Sequence, residues 1–187
     1  MAGKGYIAHF LTRLRGLAGS LKDISLSPTA LVSYAQEGED LIVHRLLASR
    51  AQGFYVDVGA HHPIRFSNTY FFYRRGWRGI NIDAMPSSMI LFNKLRKRDI
   101  NLERAISARP QTLTYFMLND PALNGFSRAL SERYVREGQG AYAIVAEIPL
   151  ATCTLAELLH RHLPAGQPID FLSIEVEGWE MQVLSSN

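Results

Sequence analysis

Two aspartates, two histidines and two glutamates are the residues of this chain whose types and spacing could do chemistry. Asp57 lies in FYVDVGAHHP, near the end of an apolar run and two positions before Gly59, and Asp83 closes a second such run, GINIDAMP. Acids at the ends of neighbouring parallel strands suit the hydroxyls and the ammonium of an adenosine-containing cofactor. The turn between them lacks the GxGxxG spacing that lets a backbone approach a pyrophosphate, which argues against a dinucleotide and an NAD-linked oxidoreductase. A cofactor without phosphates needs carboxylates instead, and this tilts the choice toward S-adenosylmethionine.

His61 and His62 follow the glycine turn directly. An aliphatic hydroxyl needs its proton accepted as it attacks, and His61 has the chemistry and the place for a general base or an acceptor-orienting group. His62 suits a structural histidine bonded to backbone near Pro63. Glu175 and Glu177, at the exit of IDFLSIEVEGWE, are competing bases, and Arg65, Asn68 and Asn124 carry side chains that can bind hydroxyls. No metal-ligand spacing is present, and adjacent histidines do not usually point into one site, so no metal is expected.

The elements that must position these groups follow from periodicity and punctuation. Strands are expected at FYVDV, GINID, Asn101–Ile106, Thr112–Met117, Ala143–Pro149 and IDFLSI. Helices are expected after SYAQEGED, over Asn68–Arg75, Pro86–Lys97, Ser131–Gly138 and Thr154–Leu163, the last with Thr154 and Glu157 spaced as a capping box. NDPALNGFS reads as a polar loop, of the kind that forms a substrate wall. Residues 6–21 place apolar side chains at helical spacing, which suits packing on the domain or on a second copy, or peripheral contact with a membrane surface. Ser27 precedes Pro28 and can cap a short helix. An N-terminal helical segment, 1–50, then precedes a domain over 51–187.

Composition bounds the rest. The 187 residues fit one layered domain, 47% hydrophobic, with a formal charge of +3 whose basic residues are dispersed. No nucleic-acid footprint follows from that dispersal. No run reaches the roughly 20 apolar residues needed to span a bilayer, and neither that nor the N-terminus suggests export, so a cytoplasmic location is the expectation. The single cysteine, Cys153, excludes an internal disulfide and suits the core.

Taken in order from about Ser33, the segments SYAQEGEDLI, VDVGAHHPIRFSNTYFFYRRGWRGINIDAMP, INLERAIS, PALNGFS, TLAELL and IDFLSIEVEGWE resemble the FkbM-type S-adenosylmethionine-dependent methyltransferases. The resemblance implies an α/β fold, the Rossmann-like class I methyltransferase sheet with helices on both faces, and an enzyme that methylates a hydroxyl of a sugar, polysaccharide or polyketide-like acceptor. A non-catalytic cofactor-binding or assembly module on the same fold is the alternative. The resemblance places Asp57, Gly59 and Ala60 in the first cofactor loop, Asp83 on the ribose, and Ala84 by the adenosine. It sets Ala105, Ile106 and Ser107 by the adenine, Glu175 near the methionine end, and Gln36 and Glu37 where they can close over the site. Two departures stand out: Glu175 occupies a position where the family usually has aspartate, and the sheet is expected to be incomplete after its fourth core strand, with the strand bearing Glu175 at an edge.

Overall fold

A computed structural model describes residues 30–187. The segment 6–21 and the helix cap expected at Ser27 therefore lie outside the described residues. One compact unit spans Ser33–Asn187, so the stretch from Ser33 to Arg50 packs with the domain.

The centre of the unit is a four-stranded parallel sheet in the order β3-β2-β1-β7, built from β1 (Phe54–Val58), β2 (Arg78–Asp83), β3 (Ile100–Glu103) and β7 (Phe171–Ile174). Every residue of β1 is buried, as a strand covered on both faces requires, which explains why FYVDV reads as a nearly unbroken apolar run. Alternation along β1 divides its side chains between two cores. Phe54, Val56 and Val58 join Ile80 and Ile82 beneath α5 (Leu155–His162) and α6 (Glu180–Leu184), which contribute Leu155, Leu158 and Val183. Tyr55 faces the other way, into a cluster with Phe71, Phe72 and Trp77, where α1 (Glu39–Leu46) packs Leu41 and Val43 against α2 (Tyr70–Arg74). Buried aromatics of this size each contribute roughly 1.5–3 kcal/mol through removal of apolar surface from water.

The capping box read at Thr154 and Glu157 is formed, each side chain accepting from the other's backbone N–H. The helices expected over Asn68–Arg75 and Pro86–Lys97 are shorter than their patterns, Tyr70–Arg74 and α3 (Met89–Leu95), the latter ending where Arg96 leaves helical geometry and turns its side chain inward. The strand expected over Asn101–Ile106 is two strands in two sheets. After β3 the Arg104 N–H still donates to the Asp83 carbonyl, and the chain then departs so that β4 (Ala105–Ile106) pairs in parallel with β6 (Ile144–Cys153). β5 (Thr112–Leu118) runs antiparallel to β6, and this hairpin, with a 3-10 turn at Pro121–Leu123 and α4 (Arg128–Glu137), stands over the carboxyl end of the parallel sheet. Among the described residues β7 pairs only with β1 and leaves Leu172 exposed. No helix among the described residues is long and apolar enough to cross a membrane.

Candidate active site

The carboxyl ends of β1, β2 and β7 open into a cavity roofed by the β5 hairpin. Its floor begins at Gly59, with φ of 85° and no room for a side chain, since a Cβ there would lie 1.8 Å from the Glu175 carbonyl oxygen. The exits of β1 and β7 thus meet backbone to backbone. Four successive amides of the turn are engaged inside the protein: Gly59 and Ala60 donate to the Ile82 carbonyl, His61 to Asp83 Oδ2 and His62 to the Ala60 carbonyl.

Asp83 ends β2 with its carboxyl buried at the cavity edge. Oδ2 accepts from His61 N–H and Oδ1 from Met85 N–H, each at 2.8 Å, so the group is held by backbone while each oxygen retains a lone pair. Burial raises its pKa, opposed by those two amides.

His61 lines the same cavity in the left-handed backbone region, φ 52°, and its Nε2 is buried without a partner. Burial, then the charge of Arg65, lowers its pKa, which keeps the imidazole neutral at pH 7. His62 is structural, its Nδ1 accepting from the amides of Ile64 and Arg65.

Glu175 and Glu177 border the cavity from the β7 side. Glu175 Oε2 accepts from Asn68 Nδ2 at 3.3 Å, and partial burial with the nearby carboxylates of Glu39 and Glu177 pushes its pKa up. Glu177 Oε2 accepts from the Tyr134 hydroxyl at 2.5 Å, which ties α4 to the site. Gly125 lies against Glu177, whose Cβ would be 3.2 Å from a side chain at that position.

The expected cofactor residues divide. Gly59, Asp83, Ala84 and Ile106 line the cavity with His61, Glu175 and Glu177, whereas Gln36, Glu37, Ala60, Ala105 and Ser107 do not. Gln36 and Glu37 are exposed, Ala60 packs on Met89 and Phe92, and the Ser107 hydroxyl accepts from Gln111.

The structure also separates the two aspartates that the sequence brings together. Asp57 precedes the last residue of β1, and alternation turns it to the face shared with Tyr55, away from the cavity, where it accepts from the Thr69 hydroxyl at 2.8 Å. Thr69 in turn accepts from Arg96, a fully buried guanidinium that also reaches Asp99 at 2.8 Å, the Tyr55 hydroxyl and the Pro63 carbonyl. Asp57 therefore belongs to a buried network beneath the turn. Burial raises its pKa from 3.8 to about 6, against the lowering by Thr69 and Arg96. A folded-state pKa above the unfolded one means a stabilising contribution present in full below about pH 4 and lost as pH rises through about 6. Asp57→Asn should flatten that window, with a gain on the order of 2 kcal/mol at pH 7 over pH 4, relative to wild type. Urea unfolding at the two pH values measures it, and parallel changes in both proteins would refute the assignment.

The loop NDPALNGFS, read as a wall, and Asn124, read as a hydroxyl-binding side chain, do border the cavity, whereas periodicity marks neither Tyr115 nor Phe126. Tyr115, Asn124 and Phe126 face the cavity, and the Tyr115, Phe126 and Trp179 rings follow one another at centroid separations of 5.0 and 5.9 Å. Tyr115 and its neighbour Phe116 are both buried, so the pattern of TLTYFML gives no sequence signal for Tyr115. Among the described residues no three His, Cys, Asp or Glu side chains converge as a metal site.

The family model for the methyltransferase FkbM domain matches residues 57–187. The chain belongs to the FkbM methyltransferase family. Every cavity residue named above lies within the matched range, from Gly59 to Trp179, so this FkbM domain holds its cavity within the span that defines the family. No curated protein and no solved structure matches the chain.

Proposed function

We propose that this FkbM domain is an S-adenosylmethionine-dependent O-methyltransferase acting on a hydroxyl of a sugar, polysaccharide or polyketide-like acceptor, on a Rossmann-like class I sheet. The observation that carries the cofactor reading is the balance of groups around the cavity. Three carboxylates, of Asp83, Glu175 and Glu177, face one guanidinium, of Arg104, and the turn's amides are engaged within the protein. Such a lining repels a pyrophosphate and favours a cationic ligand that carries hydroxyls. The parallel sheet, whose strand order reverses between β1 and β7 at the cavity, supports the class I reading.

Bound S-adenosylmethionine supplies an electrophilic methyl group on a positively charged sulfur. Asp83 offers its remaining lone pairs to the ribose hydroxyls. Ala84, Met85 and Ile106 give the base an apolar surface on the β2 side, while Glu175 and Glu177 offer negative charge to the amino-acid end on the β7 side. His61 lines the cavity, and its Nε2, buried without a partner at the wall, is the proton acceptor for the attacking hydroxyl. The β5 hairpin excludes water over the reacting groups, where positioning supplies much of the rate.

Isothermal titration of the chain with S-adenosylhomocysteine tests the cofactor. Transfer of labelled methyl from S-adenosylmethionine to a panel of sugars, polysaccharides and polyketide-like alcohols tests the reaction. Heat of binding followed by label in an acceptor is the expected result. A folded protein that takes up no S-adenosylhomocysteine overturns the proposal.

A further inference from the structure

Buried polar atoms without partners are rare, because each loses its hydrogen bonds to water for nothing in return. Three such atoms belong to residues lining the cavity: His61 Nε2, Asn124 Nδ2 and Trp179 Nε1. His61 has its use above. The other two are both N–H donors, and both stand on the roof and β7 side.

The donor assignment of Asn124 is secure from its surroundings. Its other amide atom accepts from the Leu118 backbone N–H at 2.7 Å, and only an oxygen can do so, so the NH2 group is the end without a full hydrogen bond, the Tyr115 hydroxyl being its polar neighbour within the protein. The residue is 8% exposed and its backbone is pinned, because Gly125 and Phe116 exchange N–H to carbonyl bonds at 2.8 and 3.2 Å. Trp179 follows Glu177 by two residues and packs on Phe126, while Gly125, next to Asn124, lies against Glu177. Asn124 and Trp179 thus both line the cavity and are linked through Phe126 and Gly125, Trp179 on the side of the two glutamates and Asn124 on the roof beside Tyr115.

What ligand group needs N–H donors in an otherwise acidic cavity? On the cofactor reading proposed above, on which this inference rests, the amino-acid end carries one ammonium and one carboxylate. The ammonium has Glu175 and Glu177. The carboxylate finds no free amide on the turn, where Gly59, Ala60, His61 and His62 all donate internally. Arg104 lies on the far side, bonded through its backbone to Asp83 at the β2 end. We infer that Asn124 Nδ2 and Trp179 Nε1 form the subsite for the carboxylate of the cofactor's amino-acid end, so that the roof hairpin is part of the cofactor site and not solely a wall for the acceptor.

Calorimetry with two probes separates this subsite from the adenosine side. S-adenosylhomocysteine has the amino-acid end, and 5′-methylthioadenosine keeps the adenosine and the thioether but lacks that end. Asn124→Asp preserves the oxygen that Leu118 requires and replaces the NH2 donor by a second oxygen. Trp179→Phe keeps a ring against Phe126 and removes the N–H. Each should lower the affinity for S-adenosylhomocysteine about tenfold or more, as loss of a hydrogen bond to a charged group does, and leave 5′-methylthioadenosine within about twofold of wild type. Equal losses for both probes, or an unchanged affinity for S-adenosylhomocysteine, overturn the inference. Should Asn124→Asp not fold by thermal melting, the outcome for Trp179→Phe decides alone. Wild-type protein that binds neither probe overturns the cofactor reading itself, a result distinct from wild-type binding with indifferent variants.

Discussion

Asp83→Ala lowers the affinity for S-adenosylhomocysteine about a hundredfold, the largest loss expected of any single side chain facing the cavity. Two hydrogen bonds between a charged group and ribose hydroxyls are removed, each worth about 1.5 kcal/mol or more. The amides of His61 and Met85 lose their acceptors at the same time, and they are what fixes the turn at the cavity edge. Calorimetric titration reads the loss directly, and circular dichroism confirms that the variant is folded. An unchanged dissociation constant in folded protein would remove Asp83 from the ligand and leave it a structural clasp between the turn and the end of β2.

The second large effect is on turnover. His61→Asn suits the left-handed backbone at this position, a region asparagine tolerates, and keeps the N–H that Asp83 accepts. The variant should bind S-adenosylhomocysteine as wild type does and lose about a thousandfold in kcat, the middle of the range for a missing general base. The pH profile gives a further sign. Burial and Arg65 hold His61 below its ordinary value of 6.5, so the neutral base prevails above that pH and wild-type kcat falls only in acid, as the imidazole becomes protonated. That acid limb should vanish in His61→Asn. A variant that retains the limb, or retains kcat, would assign the proton to Glu175 or Glu177 instead.

Much of this arrangement is legible in the sequence because its signals are local. The buried run FYVDV, the second run ending in Asp83 and the capping box at Thr154 each carry their own physical signature, and each forms where its residues predict. Asp83 and His61 could be placed at the cavity from strand ends alone. Asp57 could not, because which face an acid takes at the penultimate position of a strand depends on register and on its partners. Those partners, Thr69 and Arg96, come from separate elements, and Arg96 reads in sequence as one more cation in a basic stretch. The roof was legible only in part, for a related reason. The pattern NDPALNGFS shows a turn, but the use of Asn124 depends on an antiparallel hairpin that brings it over strands distant in the chain.

The contact between the β1 and β7 exits bears on how such a protein could be re-targeted. With the Glu175 carbonyl sitting 1.8 Å from where a β-carbon at position 59 would be, the spacing between the β1 and β7 exits is set by main chain and admits no adjustment by side-chain size. Directed evolution toward a new acceptor would have to leave Gly59 untouched, whereas position 125 is tight but not closed to a small side chain. Diversity placed at Tyr115 and Phe126 can reshape the opening while the main-chain frame of the cleft stays constant.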